Sequence, residues 1–509
     1  MVPRILISSL SSSSGKTTVV CALSKILSTK FSKKVSVLKV GPDYIDPLFH
    51  SKTANVRTGN IDLFFSGSDS ALLDVFERDT DGSDFAVVEG AMGFYDGATM
   101  NADASAFRVA QSLGCPVIIV VDAKGKSLSV CSEIDGLIGF QEKIESDSKK
   151  IIPREKFAVI LNRCSKSLFE LLSPKIRGLC GVEVLGFVEK NPDFSIESRH
   201  LGLVTPDAVH NLSEKIEHLS SSVSETVDFE KLIRFAQSSS SENGIFIRPK
   251  STGEKKVLLV PSVKIAVARD EAFCFYYQEN FSLLRSFGAE LKFFSPLKNE
   301  PVPSGCSALY IGGGYPELFW NALADSKITS ASVKRFCRSG APVFAECGGF
   351  MYLQLLGILP GSFSKKDKLV RFGYVELTAG EDNFLLKKGE KIRGHEFHYF
   401  DTSENGESFT ATKPNGKTWK CIKVDSAVLD SKNLCARKKR AFEKNIVAGF
   451  PHFYFPSNVS VAENFVNAAL LHASVSDCEI SCAGCGGCSS GGCGNCGGCK
   501  NGCSGCSKN

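Results

Sequence analysis

With 509 residues, 43% of them hydrophobic and 23% charged, the chain is too long for one hydrophobic core and has the composition of a globular protein of two or three domains. A net charge of +5 without a clustered basic block argues against a nucleic-acid partner. There is no apolar run of about 18 residues, so no membrane-spanning helix is expected.

The N-terminus enters a strand pattern directly, without a charged leader and cleavage site, which predicts a cytoplasmic protein. Of 20 cysteines, eleven are scattered and nine crowd the last 32 residues. That distribution reads as reduced thiols plus a tail, not as a disulfide framework.

The first motif is RILISSLSSSSGKTTVV, residues 4–20. A strand is predicted to end near Ser8, followed by a loop of small residues and a helix opened by Gly15, Lys16 and Thr17. Amides of such a loop, with the helix N-terminus, cradle phosphate oxygens, so Ser14, Gly15, Lys16, Thr17 and Thr18 are the predicted nucleotide-binding residues. Lys16 supplies charge to the terminal phosphates of ATP, and Thr17 offers a hydroxyl to Mg²⁺. Leu10 stands where the usual P-loop has its first glycine; the strand-loop-helix context carries the reading instead.

A second strand runs from Val35 into Gly41 and Pro42, with Asp43 and Asp46 in the turn behind it. A third ends at Glu89, and Asp96 follows in a glycine-rich loop. Carboxylates at the ends of parallel strands beside a triphosphate are placed to hold Mg²⁺ or its waters, so Thr17, Asp43 and Glu89 are the predicted metal ligands. The competing reading is turn-forming Asp beside Pro. Four acidic groups after strand ends are more than turns require.

Serine-rich stretches at 220–227, 238–244 and 251–256 break the periodic pattern and read as linker or surface loops around one helix near 229–236. The predicted division is therefore a first domain at 1–215, a linker at 216–260, a second domain at 261–472 and a tail at 473–509. The second domain opens with a strand from Val263 that ends at Arg269 and Asp270.

Within it, the apolar run 342–345 reads as a buried strand; Cys347 follows, and Gly348 and Gly349 allow a tight turn into an apolar helix from near Phe350. An elbow of this kind, seen with Ser in hydrolases, holds a nucleophile above a parallel sheet, where helix amides favour thiolate over thiol. A buried packing cysteine is the plainer alternative. His452, about 100 residues on, and the glycine loop 312–314 favour the nucleophile. Cys347 with His452 as acid and base, and amides near Gly313 and Gly348 as oxyanion donors, make an acyl-transfer set. In RGHEFHY, residues 393–399, cleft lining or domain packing is preferred over metal ligation by His395, Glu396 and His398.

The tail places Cys482, Cys485, Cys488, Cys493, Cys496, Cys499, Cys503 and Cys506 in a Gly/Ser/Asn matrix that cannot bury a core, so it is expected to be disordered. Thiolates two residues apart chelate soft metals, which makes the tail a candidate metal site; an unmetallated extension is the alternative.

The elbow, the glycine loop and His452 resemble the class I, triad-type glutamine amidotransferases, whose Cys attacks the side-chain amide of glutamine and releases ammonia. KVGPDYIDP, VVEGAMGFYDG, PVIIVVDAKG, VILNRC and ESRHLGLV extend the resemblance to the cobyrinic acid a,c-diamide synthase family, over about residues 3–470. The resemblance implies an α/β protein. Its first domain would be a P-loop NTPase-like parallel sheet of the dethiobiotin-synthetase kind, and its second a flavodoxin-like α/β amidotransferase domain. It implies ATP, Mg²⁺, glutamine and a tetrapyrrole polycarboxylate, with Tyr44, Asp46 and Asp96 positioning the acid, in a monomer or homodimer. The implied reaction is amidation of the a and c carboxylates of cobyrinic acid through an acyl phosphate, in cobalamin biosynthesis. A relative that amidates nickel-sirohydrochlorin toward coenzyme F430 shares the motifs and stays open as an alternative. So does, in another class, a non-catalytic ATP-dependent partner that handles metal with the tail. The amidotransferase class carries a His-x-Glu pair, whereas Tyr454 stands in the third position here, which leaves open what orients His452.

Overall fold

The computed structural model describes residues 2–145, 147, 150–191, 206, 209–238, 262–426 and 444–483, with side chains described to Ser474. Seven strands form one parallel sheet: β1 (Arg4–Ser9), β2 (Val35–Val40), β3 (Arg57–Ile61), β4 (Phe85–Glu89), β5 (Val117–Asp122), β6 (Phe157–Asn162) and β7 (Glu183–Val188), in the order β3-β2-β4-β1-β5-β6-β7. Helices cover both faces, so β1, β2 and β6 are buried along their whole length. Strand alternation sends Leu6, Val88 and Ile119 into one core and Ile5, Ile7 and Val87 into the other.

The serine-rich stretch 220–227 differs from expectation. It is the second half of the helix Leu212–Thr226, whose Ile216, Leu219 and Val223 pack under the first sheet together with Phe229 and Leu232 of the helix Phe229–Gln237. Apolar residues at helical spacing outweigh the modest helix propensity of serine. The first core thus continues past residue 215, and 239–261 lie outside the described residues.

In the second domain, β8 (Val263–Ala268), β9 (Ala289–Phe294), β10 (Cys306–Ile311), β11 (Val343–Glu346) and the strand Ile446–Gly449 form a parallel sheet edged by the antiparallel strand Lys423–Asp425. A five-stranded antiparallel sheet leans on it, with Arg371–Ala379 and Lys391–His398 central and the short strand His452–Phe453 at one edge. The helix Ser460–Ala483 packs Val461, Phe465 and Val466 into the core and runs past residue 473, where the tail was expected to start. The side chain of Cys482 and all of Cys485 to Cys506 lie outside the described residues. Ten described cysteines are free thiols, and no described helix is long and apolar enough to cross a membrane.

The two domains meet where the segments after β2 and β3 touch the second domain. Tyr374 donates to Asp62 (2.5 Å), Arg393 donates to the Phe64 carbonyl (2.8 Å), and the Asn60 amide donates to Glu279 (2.6 Å).

Candidate active site

On the phosphate side, the loop after β1 turns into the helix Lys16–Thr29 through Gly15, at φ 90°; a Cβ there would fall 2.2 Å from Asn162 Nδ2. Only glycine serves at that point. The end of β6 braces the loop: Asn162 donates to the Ser14 carbonyl (2.8 Å), and Arg163, paired with Asp122 (2.6 Å), donates to the Ser13 carbonyl (3.2 Å). The buried Lys16 amine donates to Ser9 Oγ (2.8 Å), the Ser11 carbonyl (3.1 Å) and the Met92 carbonyl (2.6 Å). Burial, and then the neighbouring charge of Lys39, lower its pKa to about 8.

Thr17 Oγ1 donates to Glu89 Oε1 (2.8 Å). Glu89 is fully buried and pairs with Lys39 (2.9 Å) and His50 (2.6 Å). Burial alone would raise its pKa, but the two cations overcome this and hold it well below the usual carboxylate range. His50 answers in kind: burial opposes its charge, yet Cys21 and Glu89 lift it to about 10. Asp46 pairs with Lys39 (2.6 Å), while burial and Asp43 raise it to about 7. Asp43 is turned toward its own helix, its Oδ1 accepting the amides of Ile45 (2.8 Å) and Asp46 (3.1 Å), and Asp96 accepts the Gly93 amide (2.8 Å). A hydroxyl beside a carboxylate oxygen is the hard donor set that Mg²⁺ takes, so Thr17 and Glu89 fit that ion.

On the other side, Cys347 links β11 to the helix Gly348–Leu355 at φ 48° and ψ −104°. Such a backbone costs about 1–3 kcal/mol and persists because its surroundings enforce it. A Cβ at Gly348 would lie 2.8 Å from Pro316 Cδ and one at Gly349 2.3 Å from the Ile311 carbonyl oxygen, so the helix packs down only with glycines there. Pairing of His452 with His395 on the neighbouring strand brings His452 to the same place. Gly313 sits between the two: a Cβ on it would be 2.3 Å from His452 Cε1 and 3.4 Å from Cys347 Cβ.

The expectation of a thiolate is corrected. Burial, with the charge of Glu317 next, raises the Cys347 pKa far more than the Gly348 amide lowers it, so the resting group is a thiol. His452 is kept neutral by burial and then by His395 and His398. Its Nδ1 is buried without a partner, and so is the hydroxyl of Tyr454, whose ring stacks on Phe65 of the first domain (4.7 Å, 18°). Glu346, next to Cys347, is taken by the Phe453 amide (2.6 Å) and the Tyr310 hydroxyl (2.7 Å), and burial raises it to about 8. The face of His452 is covered by His395 (4.9 Å, 14°). In the same strand Glu396 binds His398 (3.1 Å) and Trp419 (3.2 Å), and no cluster of three or more His, Cys, Asp or Glu side chains among the described residues is arranged to hold a metal.

A profile for the CobQ/CobB/MinD/ParA nucleotide binding domain matches residues 5–204, and one for the CobB/CobQ-like glutamine amidotransferase domain matches residues 264–459. The cobyrinate a,c-diamide synthase of Clostridium acetobutylicum is 34% identical over 480 residues, which cover 91% of this chain and 99% of that protein. The enzyme of the same name from Thermoplasma volcanium is 34% identical over 488 residues, 93% of this chain and 98% of its own. The chain belongs to the cobyrinate a,c-diamide synthase family. Membership makes it a carbon–nitrogen ligase that uses glutamine, with a nucleotide-binding first half and an amidotransferase second half.

In this member of the synthase family, sequence reasoning had overlooked Lys39 and Tyr277. The signal for Lys39 was a cation inside the otherwise apolar run of β2. Tyr277 had none, because its partners come from both domains. Tyr44, expected beside the acid substrate, packs its ring against Phe275 (5.2 Å), Tyr277 (4.7 Å), His395 (5.4 Å) and His452 (5.3 Å). It also lines a seam cavity of about 540 Å³ together with Arg57, Arg78, Arg269 and Arg285 and the carboxylates Asp79 and Asp81.

Proposed function

We propose that the chain amidates the a and c carboxylates of cobyrinic acid in cobalamin biosynthesis, spending ATP in its first domain and glutamine in its second. A carboxylate is a poor acyl donor because oxide cannot leave. Attack of the substrate carboxylate oxygen on the γ-phosphorus of ATP, with ADP departing, gives an acyl phosphate from which phosphate leaves readily. Lys16 and the amides of Ser14 to Thr18 would hold the phosphates. Thr17 and Glu89 would hold Mg²⁺, which supplies charge neutralisation to the phosphates. Asp46 and Asp96 would position the acid.

In the second domain Cys347 Sγ would attack the glutamine side-chain carbonyl carbon as its proton passes to His452. His452 then protonates the departing ammonia, and amides at Gly313 and Gly348 meet the oxyanion. Water cleaves the thioester to glutamate. Ammonia attacks the acyl phosphate and displaces phosphate, which needs a cleft shut to bulk water.

The observation that carries this reading is the loop after β2, which serves both centres: Asp46 pairs with Lys39 beside Glu89, while Tyr44 lies 5.3 Å from His452. The cobyrinate synthase relatives support the substrate, and the arginine-lined cavity suits a polycarboxylate. The test is turnover with ATP, Mg²⁺ and glutamine on cobyrinic acid and, in parallel, on nickel-sirohydrochlorin. Two successive mass changes of one amide each on cobyrinic acid are expected; product from nickel-sirohydrochlorin alone would replace the substrate assignment.

A further inference from the structure

His452 lacks the acidic partner of an ordinary triad, and the residue in that position, Tyr454, is spent on packing against Phe65. What touches His452 is a chain of rings that starts in the other domain. The Tyr44 ring packs on the Tyr277 ring (4.7 Å, 46°), and the Tyr277 hydroxyl is hydrogen-bonded to His395 Nδ1 (2.8 Å). His395 then lies parallel to His452 at 4.9 Å, and Tyr44 closes the ring of contacts at 5.3 Å from His452. All four side chains are buried, so none is held in place by solvent. Tyr44 is flanked by Asp43 and two residues from Asp46, so movement of that loop on the phosphate side is movement of a ring against His452.

We propose that Tyr44, Tyr277 and His395 form a cross-domain relay that orients His452 in place of the missing acidic partner, so that glutamine hydrolysis responds to the state of the phosphate-binding half. This rests on the amidotransferase reading of Cys347 and His452. These are positioning residues: none of the three exchanges a proton with glutamine. A neutral His395, with Nδ1 committed to Tyr277, presents a fixed face to His452. Removing the Tyr277 hydroxyl, or the Tyr44 ring packed beside it, frees that face to turn and loosens the aim of His452 at Cys347.

The test is ammonia release from glutamine by the full-length protein, measured against pH with and without ATP, Mg²⁺ and the acid substrate, for wild type, Tyr277→Phe and Tyr44→Leu. The first keeps the ring and removes the hydroxyl that holds His395; the second removes the ring that lies against His395 and His452. Both variants are expected to lose roughly ten- to a hundredfold in kcat for glutamine hydrolysis, the scale seen when a group that orients a functional histidine is removed. Their pH profiles should shift together, and the stimulation by ATP and acid should fall toward one. Tyr277→Phe should still amidate with ammonium salts. Unchanged kcat, pH profile and stimulation in both variants would overturn the relay, as would an equal loss of glutamine-driven and ammonium-driven amidation in Tyr277→Phe. A wild type that hydrolyses glutamine but amidates no acid with ammonium defeats the proposed reaction instead, and the hydrolysis pH profile then still decides the relay.

Discussion

The two centres share one seam and are built from opposite materials. On the phosphate side Glu89, Lys39, His50 and Asp46 are charged partners locked together in a buried network, with Thr17 at its edge. On the glutamine side Cys347 and His452 are neutral, dry and set among aromatic rings, and the orphaned Nδ1 of His452 has no carboxylate to answer it. The first site is ready for a polyanion before one arrives, because its own ion pairs hold its geometry. The second creates charge only when glutamine is attacked, and part of its scaffold belongs to the other domain. One centre is autonomous; the other is conditional.

The sharpest way to break that contrast is Cys347→Ala. Glutamine-driven amidation should fall by on the order of 10³-fold or more, since removing a nucleophile leaves only binding and oxyanion stabilisation. Amidation with ammonium salts should persist, read as product mass at saturating ammonium. Loss of both in a folded variant would mean that the centres are not separable. Next in size is Lys16→Met, which should lower amidation from either nitrogen source by roughly 10²–10³-fold, the scale of one lost charge-stabilising donor. Ammonia release from glutamine without ATP should survive it. If that release vanished as well, the phosphate half would be governing even the unstimulated reaction.

The same contrast explains what could be read from the chain. The phosphate half was legible because its parts are local: GKTT opens a helix, and Glu89 ends a strand. The Cys347 elbow was legible for the same reason, down to the glycines that its close packing requires. What escaped was tertiary. The helix Leu212–Thr226 hid behind serines whose apolar neighbours recur at helical spacing. The thiolate expected at a helix start gave way to burial, which no local pattern reports. The orientation of His452 comes from Tyr44 and Tyr277, which are 233 positions apart by their residue numbers (277 minus 44) and meet only once both domains are folded.

Gly313→Ala probes the tightness of the conditional centre. Its methyl would fall 2.3 Å from His452 Cε1, so the imidazole must move, and a displacement of about 1 Å at a reacting group costs around 10²-fold. Glutamine hydrolysis should drop by about that factor while ammonium-driven amidation stays intact. A fall in the latter would show that the phosphate half depends on the second domain more than its self-contained ion pairs suggest.

The smallest effect concerns the seam itself. Glu279 accepts the Asn60 amide across the domains (2.6 Å) and lies beside Asp79, and the Oε2 of one and the Oδ2 of the other are buried without a donor. Two carboxyls so placed are expected to share a proton. Arg78 and Arg57 face them from the first domain, and Tyr277 and Tyr454 from the second. Burial and then the charge of Asp79 raise Glu279 well above its ordinary range, and burial raises Asp79. Acids whose folded pKa is raised add stability that is fully present below their unfolded value of about 4 and is lost as pH climbs through the folded one. Wild type should therefore weaken from about pH 5 toward pH 8. Glu279→Gln keeps an acceptor for Asn60 and offers Asp79 a permanent amide hydrogen. It should gain roughly 1–2 kcal/mol over wild type at pH 8 and little at pH 5, checked by thermal unfolding at both. An equal difference at the two pH values would mean that no proton is shared, and that packed rings and the hydrogen bonds of Tyr374, Arg393 and Asn60 hold the domains together without it.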